Sequence, residues 1–271
     1  MEKCLVTTLK AVVNNNNLPF YGGFVFSIDS ANSGDFNRLN RDNKNLSIKI
    51  LEGDGSFYSS ANENLGREIG NINFRYQSPT GDTAKILVKS KYDINILGSD
   101  FSSLKIYVKL EDLKFMNMIK LKYAIVTGDI SNLANSSSLE ECRIDVINSE
   151  GDIIVFKDKV NIKSLIFAGY DTATNITGDI TTLSSLVNAT IINFAHLPNI
   201  TGKYETLIEN MYKNGRRSGT MINYFGPKCM FNNQPISGNN KYEATFSDSG
   251  VSVSKDSVVV GTYNGTEWSY V

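Results

Sequence analysis

The sequence predicts a mostly β protein in three parts. These are an antiparallel β domain over residues 1–95, a solenoid of stacked short strands over 96–226, and a small C-terminal β meander over 227–271. Three observations predict it. Apolar and polar residues alternate over short runs in the first third. A glycine-centred motif recurs through the middle third. Valine- and tyrosine-rich runs broken by turn residues fill the last third.

In the first part, Phe24, Phe26 and Ile28 share one face of a strand, as do Leu46, Ile48 and Ile50, with Ser47 and Lys49 opposite. Ile72, Phe74 and Tyr76 repeat the pattern, followed by Ala84, Ile86 and Val88. Period two over short runs describes antiparallel sheet with one wet face. The breaks carry turn chemistry: Asn14 to Asn17, Ser33-Gly34-Asp35, Gly53-Asp54-Gly55 and Ser78-Pro79-Thr80-Gly81.

In the second part, Thr127-Gly128-Asp129-Ile130-Ser131-Asn132-Leu133 matches Thr177-Gly178-Asp179-Ile180-Thr181-Thr182-Leu183. Gly151-Asp152-Ile153 falls between them, Thr201-Gly202-Lys203-Tyr204 after them, and Gly98-Ser99-Asp100 is a degenerate first copy. Glycines 128, 151, 178 and 202 step by 23, 27 and 24 residues. Short apolar segments around Tyr123, Ile144, Ile166, Ile192 and Ile222 supply one strand per copy. One strand and one turn cannot bury an apolar face, so the copies are expected to stack in parallel, in sequence order. Glycine then permits the tight turn, the aspartate accepts hydrogen bonds from nearby backbone N–H groups, and Ile and Leu point inward. Asp129, Asp152 and Asp179 are read as structural.

The last copy differs. Tyr204, Leu207, Ile208, Met211 and Tyr212 recur at helical spacing and Gly215 follows as a cap, so a helix is expected to close the stack. Lys213, Arg216 and Arg217 at its end offer a carboxylate or phosphate grip, but a helix end complementing its own dipole accounts for them more simply. In the third part, Tyr242, Ala244 and Phe246 alternate, Asp248-Ser249-Gly250 turns the chain, and Asn264-Gly265 signals a hairpin before Trp268. That lone tryptophan is read as a core or interface anchor.

Composition excludes several functions. With 41% hydrophobic and 20% charged residues the chain can build a core. A net charge of −1 gives no electrostatic case for nucleic acid. The start, Met1 to Leu9, has no signal-peptide pattern, and no apolar run reaches membrane-spanning length. Cys4, Cys142 and Cys229 are too scattered for a thiolate metal site and read as buried free thiols. His196 is the only histidine and lacks a nucleophile motif around it. No phosphate-binding glycine loop occurs. Glu140 and Glu141 are adjacent and would face opposite ways on a strand, while Asp29, Asp35, Glu52 and Asp54 lie near turns. No catalytic, cofactor-binding or metal residue is assigned, no cofactor is expected, and the chain is read as not an enzyme. A glycan hydrolase using two carboxylates stays open, because sequence does not fix their separation.

Two resemblances add to this. Ile125 to Leu133 resembles the L-x-G-x-I-x-x-L segment of leucine-rich repeats, although Ala124 and Thr174 stand near where that family carries asparagine. The opening, Leu5 to Asn14 and Asn17-Leu18-Pro19-Phe20-Tyr21-Gly22, and the close, Ala244 to Gly250 and Trp268-Ser269-Tyr270, look like virion proteins of Bacteroides-infecting crAss-like bacteriophages. That resemblance implies a tail-fibre or tail-associated structural component, made in the host cytoplasm and located in the virion. It would dock to other virion proteins as a homo-oligomer, a trimer if it is a fibre, with no nucleic acid and no membrane as partner. The alternative is a carbohydrate- or receptor-binding module at a fibre tip, meeting a host-surface glycan or receptor.

Overall fold

A computed structural model describes residues 22–28, 46–59, 61–70, 75–77, 84–90, 96–98, 106–113, 119–168, 174–236, 238 and 240–271. Strands dominate, as expected, and the described chain forms two compact units, Met1–Ile125 and Val126–Val271. Among the described residues no helix is long and apolar enough to cross a membrane. The expectations placed on Cys4, Asp29, Asp35, Ile72, Phe74, the Ser33 and Ser78 turns, the opening residues 1–21 and most of the degenerate copy at Gly98 lie outside the described residues.

The first unit holds strands β1 (Gly22–Ile28), β2 (Leu46–Glu52), β3 (Ser56–Tyr58), β4 (Asn64–Gly66), β5 (Glu68–Gly70), β6 (Arg75–Gln77), β7 (Ala84–Ser90), β8 (Ile96–Gly98) and β9 (Ile106–Lys109). Strand β10 (Lys120–Asp129) begins in it. β7 lies between β1 and β2, antiparallel to both. Its residues Val88 and Ile86 stand opposite Phe24 and Phe26 on one side and Ile48 and Ile50 on the other, so the alternation in three separate runs meets in one register. Ala84, Ile86, Val88, Ile48 and Ile50 are all buried. A slip by one residue would turn this whole apolar set to water, which makes the register well specified. β5 adds to the far edge of β2, and β3, β4 and β6 make a separate three-stranded sheet in which Phe57 packs edge-on against Tyr76.

The second unit continues with β11 (Glu141–Asp152), β12 (Ser164–Ala168), β13 (Asn175–Asp179), β14 (Ile191–Asn193), β15 (Asn199–Lys203), helix α1 (Tyr204–Lys213), β16 (Thr220–Tyr224), β17 (Cys229–Phe231), β18 (Gln234–Pro235), β19 (Tyr242–Ser247), β20 (Gly250–Lys255), β21 (Val258–Tyr263) and β22 (Trp268–Tyr270). Two parallel ladders run through it. The first joins the start of β11 to β12, β12 to β14 and β14 to β16. The second joins the end of β11 to β13, β13 to β15 and β15 to β17. The segments expected around Ile144, Ile166, Ile192 and Ile222 therefore pair in parallel and in sequence order, and β10, which carries Tyr123, pairs in parallel with β8. β16 then pairs antiparallel with β19, and β19 to β22 form successive antiparallel hairpins.

Between ladders the chain turns through 3-10 segments at Ile130–Asn135, Ile153–Phe156 and Ile180–Leu183, and through α1 at the fourth place. Each turn buries two apolar anchors: Ile130 and Leu133, Ile153 and Phe156, Ile180 and Leu183. Full burial of one such side chain contributes about 2 kcal/mol. Phe167 meets Phe156 and Phe194 edge-on at 5.6 and 5.4 Å, and Phe225 continues the row to Tyr204. α1 ends as read: Gly215, with φ +99°, lets its N–H reach Tyr212 and the Arg216 N–H reach Met211, a Schellman closure.

Candidate functional site

Asp129, Asp152 and Asp179 each sit at the head of a turn, and one carboxylate oxygen of each accepts from the N–H two residues on, at 2.8 Å in all three cases. The structural reading of these acids agrees with the geometry. The glycines do a different job from the one expected. Gly178 lies at the end of strand β13, ahead of the turn, with φ +133°, and a Cβ there would stand 2.5 Å from the Asp152 carboxylate and the Ile153 side chain. Gly151 meets Asp129 and Ile130 in the same way, and Gly202 meets Asp179 and Ile180. Each glycine thus makes room for the acid of the preceding turn.

The first ladder has one face toward the core and one away from it. Along it Cys142, Ile144, Leu165, Phe167, Ile192, Phe194 and Met221 point into the core. The alternate residues lie on the other face, in the row Arg143, Ile166, Asn193, Tyr224 and the row Glu141, Ser164, Ile191, Ile222, Glu243, where Ser164 is buried and accepts from Arg143 Nε. Ile166, Ile191, Ile222 and Tyr224 are half-buried and occupy the middle of this face. Charged residues flank them: Glu141 pairs with Arg143 at 3.8 Å on the β11 side, and Glu243 with Lys241 at 3.1 Å on the β19 side. An apolar centre with a polar rim is the anatomy of a protein docking surface. The motif's Ile130, Leu133, Ile153, Ile180 and Leu183 are buried as expected, whereas on the strands Ile166, Ile191 and Ile222 face out, because the period-two alternation places their neighbours Leu165, Phe167, Ile192 and Met221 inside.

The other candidates are dispersed. Among the described residues no group of three or more His, Cys, Asp or Glu side chains could hold a metal ion. Glu140 binds Lys163 at 2.9 Å, Glu141 pairs with Arg143, and Glu52 binds Lys85 at 2.7 Å. His196 is exposed in a turn after β14, and Asp54 is exposed beside Gly53 and Gly55. Cys142 and Cys229 are buried free thiols. Burial drives the Cys142 thiol far above its usual range, and burial followed by the charge of Asp179 pushes Cys229 up to about 12, so neither is a nucleophile at neutral pH. The basic trio at the end of α1 is engaged within the fold. Lys213 pairs with Glu209, Arg217 donates to the Tyr212 carbonyl and lies 3.8 Å over its ring, and Arg216 is buried. Trp268 is half-buried among Phe231, Tyr263 and Tyr270, in keeping with an anchor.

The burial of two cations, Lys159 and Arg216, is not visible in the sequence reading. Lys159 is only 4% exposed and donates to the carbonyls of Ala134 and Ser136, at 2.9 and 3.0 Å, in the loop of the preceding turn. Burial lowers its pKa, partly offset by Cys142 and Asp158. Arg216 makes the equivalent bond to Ala189 at 2.6 Å and lies 4.5 Å over Phe246. They lie 23 to 27 residues after the carbonyls they bind, near the repeat step, and that spacing was the available signal.

Comparison with known proteins gives no match: no family model matches the sequence, no curated protein matches it and no solved structure matches the fold.

Proposed function

We propose that this chain is a docking protein whose middle is a leucine-rich-repeat-like solenoid, and that it serves as a structural component of a phage virion, a tail fibre or tail adaptor. The observation that carries the docking reading is the outward face of the first ladder, with Ile166, Ile191, Ile222 and Tyr224 inside a rim of ion-paired residues. The parallel pairing in sequence order, the repeated Asp–Gly joints and the helix at the fourth turn support the solenoid reading. The virion assignment rests on the resemblance of the chain's opening and close. A rigid sheet face lowers the ordering cost of association, so modest contacts can suffice.

The test is mass spectrometry of purified phage particles, combined with cross-linking. The expected result is this chain at stoichiometric copy number, with cross-links from Lys163 and Lys241, the lysines flanking the face. Absence of the chain from particles would reject the virion role. Cross-links confined to other surfaces would reject the face as the docking site.

A further inference from the structure

We propose that Asn264 is a self-modification site, at which the backbone nitrogen of Gly265 converts the side-chain amide into an aspartyl or isoaspartyl link. The reacting groups belong to the chain itself, and the only co-reactant is water.

The sequence holds two Asn-Gly pairs, Asn214-Gly215 and Asn264-Gly265. Glycine has no Cβ to shield its nitrogen, so in each pair that nitrogen can reach the side-chain carbonyl of the asparagine before it. Both asparagines are exposed, and the two glycines share nearly the same backbone, with φ +99° at Gly215 and +96° at Gly265. Exposure and glycine conformation therefore do not separate the pairs. Their hydrogen bonds do.

The Asn264 side-chain oxygen accepts from the Thr266 N–H at 2.9 Å, the Thr266 hydroxyl at 2.7 Å and the Glu267 N–H at 2.9 Å. Three donors on one oxygen polarise the carbonyl carbon, and they are in place to hold the negative charge that forms when a nucleophile adds to it. The same bonds fold the side chain forward over its own chain, as in an Asx turn. Among the described residues, neither the Gly265 N–H nor the Asn264 Nδ2 has an acceptor, so attacking nitrogen and leaving group are both unengaged. At Asn214 each of these roles is reversed. The Gly215 N–H is held by the Tyr212 carbonyl at 3.0 Å, and Nδ2 donates to the Ser184 carbonyl at 3.1 Å. No donor among the described residues reaches the Asn214 side-chain oxygen.

The steps balance. The Gly265 nitrogen gives its proton to solvent and forms a bond to Asn264 Cγ. The Cγ–Nδ2 bond breaks, and Nδ2 leaves as ammonia, closing a five-membered imide. Water then adds to either imide carbonyl and opens the ring. An amide and a water become a carboxylate and an ammonium ion, with nothing oxidised or reduced. The chain's formal net charge moves from −1 to −2. In the isoaspartyl product the main chain runs through the former side chain, in the loop that sets the pairing of Tyr263 with Trp268.

The experiment incubates the full chain in a mildly alkaline buffer, folded and in urea, and follows both pairs by peptide mapping with mass spectrometry. In urea the two are expected to convert at similar rates. In the folded chain Asn264 is expected to keep its urea rate or exceed it. Asn214 is expected to slow at least about tenfold on folding, because two hydrogen bonds must open first. Thr266→Val removes one donor from the oxygen and is expected to slow Asn264 about fivefold, the rate equivalent of one hydrogen bond. Thr266→Ala replaces it if the variant lacks a cooperative melt. Folding that slows Asn264 as much as Asn214, or a Thr266 variant that converts as fast as wild type or faster, would overturn the proposal.

Discussion

The first three turns of the second unit and the fourth start from the same place in the pattern and end differently. Asp129, Asp152 and Asp179 cap their turns with a side-chain oxygen, and each turn stays a short 3-10 segment. Lys203 stands at the fourth head, makes no side-chain cap bond, and the chain runs on into the ten-residue helix α1. Capping alone does not account for the difference, since aspartate also starts α-helices well. The following residues decide it. Tyr204, Leu207, Ile208 and Met211 give a buried stripe over about two turns of helix, whereas the 3-10 segments have only two buried anchors each. The second contrast lies one turn further on. Every capping aspartate has a glycine of the next strand pressed against it, but Lys203 pairs with Met230, and the residue in the glycine's place is Phe231. Acid and glycine act as a coupled pair, and where the acid is missing the glycine is missing too.

The largest expected effect comes from breaking one of these pairs. Gly178→Ala combines a positive φ with contact on Asp152 and Ile153, and is expected to lower stability by about 3 kcal/mol in urea unfolding. Adding Asp152→Ala should recover at least about 1 kcal/mol of that loss; strictly additive losses would break the coupling argument. Next comes Lys159→Met, which strips the donor from two carbonyls and should cost about 2 kcal/mol. This residue also has a pH signature. Its pKa is lower folded than unfolded, so between the two values the unfolded chain holds the extra proton. Stability contributed at this site therefore rises as pH climbs toward the ordinary lysine value of about 10.4, and that rise should vanish in Lys159→Met. Asp129→Ala and Asp152→Ala remove one local bond each and should lower stability by about 1 kcal/mol, measured by thermal melts. The smallest effect is expected from Lys203→Asp. A helix N-cap usually contributes about 1 kcal/mol, but with Phe231 rather than glycine in the facing place the gain should fall well short of that. A full gain would show that the fourth joint tolerates aspartate without glycine.

Much of this architecture was legible because period and spacing are local properties. The alternation at Ile48, Ile50, Ala84, Ile86 and Val88, the recurrence of Gly-Asp-Ile and the helical stripe from Tyr204 to Met211 can all be seen in the chain itself. What stayed hidden depends on neighbours. The Thr-Gly-Asp motif reads as a turn, yet Thr177, Gly178 and Asp179 lie in strand β13, because their ladder partners are in β15, more than twenty residues away. Each repeat therefore carries two strands, not one, and β11 spans both positions without a break. Asn264-Gly265 suggested a tight hairpin, but the Asn264 side chain accepts from the N–H groups of Thr266 and Glu267 and widens the loop to four residues. The outward face of the first ladder was least legible. Ile166 and Ile192 look alike in sequence, and only the register sends one outward and the other into the core.

The position of Trp268 has a spectroscopic consequence. It is the sole indole in the chain, and it sits among Phe231, Tyr263 and Tyr270 near the last strands. Emission excited at the red edge of the absorption band, where tyrosine contributes little, reports that corner alone, while circular dichroism averages every strand. If the hairpins loosen before the ladders, the emission will shift to longer wavelength at a lower denaturant concentration than the ellipticity change. The protein thus carries its own optical marker for the order in which its parts come undone.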